Sequence, residues 1–358
     1  MTNSTITIAN KLVGPAHPPF IIAELSGNHN GSLERAMAIV KAAADAGADA
    51  IKLQTYTADT MTIRSDKPEF TISDPKSLWY GKTLYDLYEE AHTPWEWHKP
   101  LIDYAQSLGL VAFSTPFDAT SVDFLLSLNV PAFKIASFEN TDIPLICRVA
   151  ATGKPLIISA GTATIDELHQ ALDAARAAGA KDIILLKCTS AYPAPHSEAN
   201  LRSIPVLSEK LGVLVGLSDH TMGIGTSIAA VALGACVIEK HFTLARADGG
   251  VDSAFSLEPY ELAELVRESR HAWQSLGSAD YAPTSSEDAS RIYRRSLYVV
   301  KPIKAGERFT SENVRAIRPG YGLPPGEIEA IIQGGAATCD LASGTALKQE
   351  HVNYPQAR

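Results

Sequence analysis

The chain has 358 residues, of which 46% are hydrophobic and 20% charged, and a net charge of −9. This is ordinary globular composition, with room for one large domain and a small one. The acidity argues against nucleic acid or an anionic membrane as partner, while leaving open a small anionic substrate held by local cations. No apolar run approaches the length that spans a bilayer. The opening "MTNSTITIANKLVGPAHPPF" has neither the basic nor the apolar part of an export signal. Four cysteines (Cys147, Cys188, Cys236 and Cys339) fall in no zinc-like spacing. They are expected to be reduced thiols of a cytoplasmic protein.

Along the chain, strand-length apolar runs alternate with stretches of helical spacing. The first strand is expected over 20–25 ("FIIAEL"), followed by a helix over 33–47. The second strand, 50–55 ("AIKLQT"), leads into an overlong connection, 56–93. An insertion of that size is usually functional or disordered, and its Trp79, Tyr80, Tyr85 and Tyr88 argue for order. These aromatics read first as the loop's own core and second as a sugar-stacking platform. Strands follow at 110–115, 132–137, 155–160, 182–188, 212–217 and 235–241, with helices over 119–128, 165–179 and 199–211. A last helix begins at Glu258. Eight strand–helix repeats are the count of a (β/α)8 TIM barrel. A doubly wound open sheet is the alternative, but no G-x-G-x-x-G follows the first strand. The barrel domain is assigned to 1–276 and a polar linker, "GSADYAPTSSEDAS", to 277–290. Residues 291–358 read as a small, mostly β domain with Gly turns.

In a closed α/β barrel the reactive side chains sit at the C-terminal ends of the strands. Here Glu24 ends the first strand; Lys52 and Gln54 lie on the second, Thr115 on the third. Lys134, Ser137 and Glu139 belong to the fourth, Ser159 to the fifth, and Lys187, Ser190 and Tyr192 to the sixth. Ser218 and His220 follow the seventh, and Lys240 and His241 end the eighth, with Asp252 just beyond. A single strand-end His is usually an ordinary loop residue. Two at matching positions on neighbouring strands converge within reach of one metal ion. With only two imidazoles and carboxylate or water to complete the shell, Mn²⁺ suits better than a structural zinc; Mg²⁺ or Co²⁺ would also serve. Lys52 and Lys134 cannot stay buried without counter-charges. They are either ion-paired with Glu24 or Glu139, or cradle a phosphate or carboxylate with the hydroxyls of Thr115, Ser137, Ser159 and Ser218. A Schiff-base lysine is less needed beside a metal. Cys188 reads as a buried, inert thiol rather than a nucleophile.

Taken in order, "AELSGNHNGS", "IKLQTYTADTMT", "FSTPFD", "FKIASFEN", "LLKCTSAYPAP", "GLSDHTMGIG", "VIEKHFTL" and "GGVDSAFSLEP" resemble the sialic acid synthase family. The tail "RRSLYVVKPIKAGERFTSENVRAIRPGYG" resembles the antifreeze-like (SAF) domain that follows its barrel. Together these cover roughly residues 18–350. Within the family, "LQTYTADTMT" and "GKTLYDLYEEAHTPWEWH" are most similar to the pseudaminic acid branch. The resemblance implies condensation of phosphoenolpyruvate with an acylamino sugar, here 2,4-diacetamido-2,4,6-trideoxy-L-altrose, and loss of phosphate. It implies that His220 and His241 are metal ligands, and that Lys52, Thr115, Lys134, Ser137, Ser159 and Ser218 contact phosphoenolpyruvate. Ser190 joins them as a candidate substrate contact. Glu24, Gln54, Tyr192 and Asp252 match positions near the acceptor, and Glu139 a carboxylate beside the reacting carbon. Glu24, Glu139, Asp252 and His241 are therefore the candidate catalytic residues. Arg318, in "IRPGYG", matches an arginine that one subunit lends to its partner's barrel, which implies a domain-swapped homodimer. Lys187 departs from the pattern of many relatives and has no assigned role. The competing readings are a neuraminic or legionaminic acid synthase, a metal-dependent pyruvate aldolase, and a non-catalytic sugar-binding protein.

Overall fold

Residues 5–354 are described by a computed structural model. Two short antiparallel strands, β1 (Ile6–Ile8) and β2 (Lys11–Val13), open the chain. Eight parallel strands follow: β3 (Phe20–Glu24), β4 (Ala50–Thr55), β5 (Val111–Pro116), β6 (Phe133–Ile135), β7 (Leu156–Ser159), β8 (Ile183–Cys188), β9 (Leu214–Ser218) and β10 (Val237–His241). They close in the order β10-β3-β4-β5-β6-β7-β8-β9, the (β/α)8 barrel expected from the eight repeats. Apolar runs without alternation suit strands covered on both faces, by helices outside and by packed side chains within. The barrel core accordingly holds Ile21, Ile51, Phe113, Ile157, Leu185 and Ile238, all buried.

Several helices start where a side chain satisfies their free N–H groups. Ser32 caps α1 (Leu33–Asp45) by accepting from Arg35 N. Asp118 caps α5 (Ala119–Ser127), and Thr164 with Glu167 forms a capping box on α7 (Ile165–Ala177). The last helix of the barrel, α10 (Pro259–Ser275), is preceded by Glu258, as expected from the sequence.

The connection 56–93 is ordered. It contains α2 (Ala58–Met61), α3 (Leu84–Ala91) and, between them, a turn-back closed by a Thr71–Thr83 bridge. The β1–β2 hairpin was not foreseen. Its Ile8 and Val13 join the barrel core, and Lys11 reaches Asp49 at 3.1 Å, just before β4. It therefore packs at the N-terminal end of the strands, away from the residues singled out above.

Contacts divide the chain at Gly277/Ser278. The second unit pairs β11 (Ser296–Val299) with β12 (Val314–Ile317), and β13 (Ala336–Ala337) with β14 (Val352–Asn353), both antiparallel. Its own small core includes Leu297, Phe309, Val314, Ile331 and Leu347. The stretch 277–290 is not wholly irregular: Thr284 and Glu287 form a capping box on a one-turn helix, Ser285–Asp288.

Candidate active site at the C-terminal mouth of the barrel

The pleat decides which side chains enter the barrel. On β10 it turns Glu239 and His241 inward and Lys240 outward. Outside, Lys240 Nζ donates to Thr221 O at 2.5 Å and Gly223 O at 2.9 Å, and pairs with Asp219 at 3.2 Å. Lys240, though at a strand end, thus ties the loop after β9 to the barrel wall and takes no part in the mouth.

Inside, four buried charges meet. Lys52 Nζ lies 2.5 Å from Glu24 and 3.7 Å from Glu239, and donates to Thr115 Oγ1 at 3.1 Å. Lys134 Nζ lies 3.3 Å from Glu239. β6 and β10 stand opposite one another in the closed order, so this pair spans the interior. The expected partner of Lys134, Glu139, is not its ion pair; Glu239 is, and it also accepts from Ser218 Oγ at 3.3 Å. Burial opposes ionisation of Glu239, but Lys134 and Lys52 outweigh it and hold the carboxyl well below the usual range. Burial pushes the Lys134 ammonium down, whereas for Lys52 the carboxylates of Glu239 and Glu24 overcome burial and push it up. Two lysines against two glutamates make a locally neutral cluster, whose positive half could transfer to an incoming anion.

Above this floor are the two histidines. Register aligns His241 with Glu24, and Glu24 with Lys52, across three adjacent strands. The His220 and His241 ring centroids are 5.3 Å apart. His220 Nδ1 lies 3.0 Å from Thr189 O, so it carries the proton and leaves the Nε2 lone pair free. His241 Nδ1 is buried without a hydrogen-bond partner, 3.5 Å from Asp252 Oδ2. Asp252 in turn accepts a short bond from Ser26 Oγ. Burial would raise its carboxyl, but His241 and Ser26 keep it low. Among the described residues no group of three or more His, Cys, Asp or Glu is placed to hold a metal ion. Two imidazole donors with an oriented carboxylate behind one of them fit an open site, not a closed structural one.

The rim beside His220, at β7 and β8, is lined by hydroxyls. A Cβ on Gly161 would stand 2.2 Å from Ser190 Oγ and 2.6 Å from Ser137 Oγ, so only glycine lets both hydroxyls crowd that backbone. Asn140, unforeseen from the sequence, holds this loop by donating to Ser159 O at 3.0 Å and Gly161 O at 2.8 Å. Ser159 ends β7, buried beside it. Glu139 has a buried, unpartnered Oε2, and burial pushes its carboxyl up to about 7. Cys188 is buried, as expected. Burial alone would raise it, but His220, Ser137 and Ser190 bring it down to about 6. Its Sγ is 3.8 Å from His220 Nδ1.

Outward from the histidines the wall is aromatic. The Tyr192 ring is 4.4 Å from that of His220, and Phe255 is 4.9 Å from His241 and 5.4 Å from Tyr192. Trp79, from the long connection, is 5.7 Å from Tyr192. The other loop aromatics serve the loop itself: Tyr88 packs on Tyr56, Tyr85 bonds Asp59 under Arg64, and Tyr80 is exposed.

Thus Glu24, Lys52, Thr115, Lys134, Ser137, Ser159, Ser190, Tyr192, Ser218, His220, His241 and Asp252 occupy one mouth, with Glu139 at its edge. Gln54 shares the inward side of β4 with Lys52 and lies beside Thr115 in register. Lys187, on β8, is half-buried and donates to Thr189 Oγ1 at 2.6 Å. Arg318 follows β12 in the second unit.

Residues 39–281 match the NeuB family and residues 294–353 the SAF domain. The pseudaminic acid synthase of Campylobacter jejuni is 45% identical over 92% of this chain and 95% of its own. That of Helicobacter pylori is 42% identical over 94% and 98%. The N,N'-diacetyllegionaminic acid synthase of Legionella pneumophila is 38% identical over 93% and 94%. Among solved structures, the N-acetylneuraminic acid synthetase of Leptospira borgpetersenii superposes with a TM-score of 0.72 at 34% identity, covering 80% of this chain and 95% of that one.

Proposed function

The chain belongs to the NeuB family, and we propose that it condenses phosphoenolpyruvate with 2,4-diacetamido-2,4,6-trideoxy-L-altrose to give pseudaminic acid and phosphate. The observation that carries this reading is 45% identity to a pseudaminic acid synthase over 92% of the chain. The site described above has the residue types that the reaction needs.

Lys52 and Lys134 bind the two anionic ends of phosphoenolpyruvate, with Thr115, Ser137, Ser159, Ser190 and Ser218 as further donors. Glu24 and Glu239 keep both ammonium groups charged and aimed before the substrate enters. His220 and His241 would hold a divalent metal, Mn²⁺ with Mg²⁺ or Co²⁺ as substitutes, which would supply Lewis acidity for activating the acceptor's aldehyde. Asp252 orients His241, and Tyr192 walls the acceptor side, with Gln54 nearby. C3 of phosphoenolpyruvate attacks the aldehyde carbon, and water adds at C2. Glu139 takes the proton from that water, and breakage of the C2–O bond releases phosphate. Residues 294–353, the SAF domain, would lend Arg318 to the barrel of a second copy in a domain-swapped homodimer. No helix among the described residues is long and apolar enough to cross a membrane. We read the protein as cytoplasmic, consistent with its four free cysteines.

The test is phosphate release from phosphoenolpyruvate with Mn²⁺ and one of three acceptors: the diacetamido-altrose, N-acetylmannosamine, or the legionaminic precursor. Release with the first alone, abolished by EDTA, is the expected result. Release with another sugar would keep the chemistry and change the acceptor. Carbon–carbon bond formation from pyruvate without phosphate would replace the reading with an aldolase.

A further inference from the structure

The lining of the mouth changes chemical character from one side to the next. Lys52, Lys134, Glu24 and Glu239 form a cluster of four charges, two imidazoles stand beside it, and aromatic rings lie against the imidazoles. An open-chain sugar whose carbonyl meets the histidines must extend along that aromatic wall. Centroid distances run 4.4 Å from His220 to Tyr192 and 5.7 Å from Tyr192 to Trp79. A chain running from the histidines along these rings meets Tyr192 first and Trp79 next.

Trp79 does not belong to the barrel repeat. It sits in the connection 56–93, within a turn-back held by Ile72 N to Lys82 O and Gly81 N to Ile72 O, each 2.9 Å. Its indole N–H donates to Val251 O at 2.8 Å, which fixes the ring against the loop that carries Asp252. With its only polar atom engaged there, the half-buried ring offers carbon to the mouth. From these placements, and resting on the reaction proposed above, we infer that Trp79 is a specificity-determining residue that recognises the C6 methyl group of the 6-deoxy acceptor. A methyl gains by removing itself and the indole face from water. A hydroxymethyl in the same place would surrender its hydration with no partner.

The experiment compares kcat/KM for the 6-deoxy acceptor with that for its 6-hydroxy counterpart, 2,4-diacetamido-2,4-dideoxy-L-altrose. Wild type is expected to prefer the 6-deoxy sugar by roughly tenfold or more, within the range an apolar pocket achieves against an added hydroxyl. Trp79→Ala is expected to bring the two within about threefold, mainly by losing activity on the 6-deoxy sugar. Trp79→Phe keeps a ring without the N–H and should retain most of the preference. The KM for phosphoenolpyruvate, bound at the floor, should stay unchanged in both variants, which also reports an intact barrel. Equal use of both sugars by an active wild type, or a parallel fall on both in Trp79→Ala, would overturn this inference and leave the reaction standing. An inactive wild type would overturn the reaction with it.

Discussion

His241 is the residue on which strand geometry, ligand chemistry and the Asp252 contact converge. His241→Ala is expected to lower turnover by roughly 10³-fold or more, the scale of several kcal/mol of Lewis-acid stabilisation. It should leave the thermal midpoint within a few degrees of wild type and remove Mn²⁺ binding measured by EPR. Glu139 gives a different signature. Its carboxyl rises from an ordinary 4.5 to about 7 because it is buried. The folded chain therefore binds more protons at this site than the unfolded one between those values, and stability falls as pH rises through that window. A base must be ionised, so kcat/KM should climb to a plateau with a midpoint near pH 7. In Glu139→Gln that limb should vanish, with residual activity down by roughly 10²–10⁴-fold, and the stability loss between pH 4.5 and 7 should vanish too. A retained limb would assign the titration elsewhere. Most site residues were legible because reactive types at strand ends are rare enough to notice. Glu239 was not, although one signal was present: with His241 facing inward, the period-2 rule turns Glu239 in and Lys240 out. Reading "VIEKH" by alternation rather than by its last residues would have exchanged their roles.

At the scale of elements, the loop after β7 shows how backbone shape sets a binding surface. Gly161 leaves space that Ser137 and Ser190 hydroxyls occupy, and Asn140 locks the loop from beneath. Gly161→Ala should fold, because both serines can turn away, but their hydroxyls would no longer point together. We expect kcat/KM for phosphoenolpyruvate to fall by up to about 10²-fold, the usual penalty for misplacing substrate by an ångström. The KM for the sugar should change little; a selective effect on the sugar would contradict the assignment of this rim. The barrel strands were readable because each is a continuous apolar run bounded by polar turns, and all eight fall where expected. The β1–β2 hairpin was missed because strands of three residues, "ITI" and "KLV", are too short for periodicity to register. The order of the 56–93 connection was anticipated from its aromatics. The reach of Trp79 to Val251 was not, since 172 residues separate them and only the closed barrel brings them together.

For the whole molecule, the question is whether one copy is sufficient. The barrel, Met1–Gly277, and the second unit, Ser278–Arg358, are each compact, with separate cores. If Arg318 acts across the dimer, two inactive variants should complement. Arg318→Ala supplies an intact barrel and His241→Ala an intact second unit, so a mixed dimer contains one complete site. Unfolding and refolding an equal mixture, or coexpressing the two, should restore about a quarter of wild-type activity, since half of randomly assorted dimers are mixed and each has one working site. Neither variant alone should exceed background. If Arg318 instead serves its own barrel, every site in every assortment lacks one of the two residues, and the mixture stays as inactive as its parts. The same samples, run by sizing with light scattering, separate a swapped dimer from a monomer. Restored activity in a species of monomer mass is impossible on either model, so activity and mass together decide how the second unit is used.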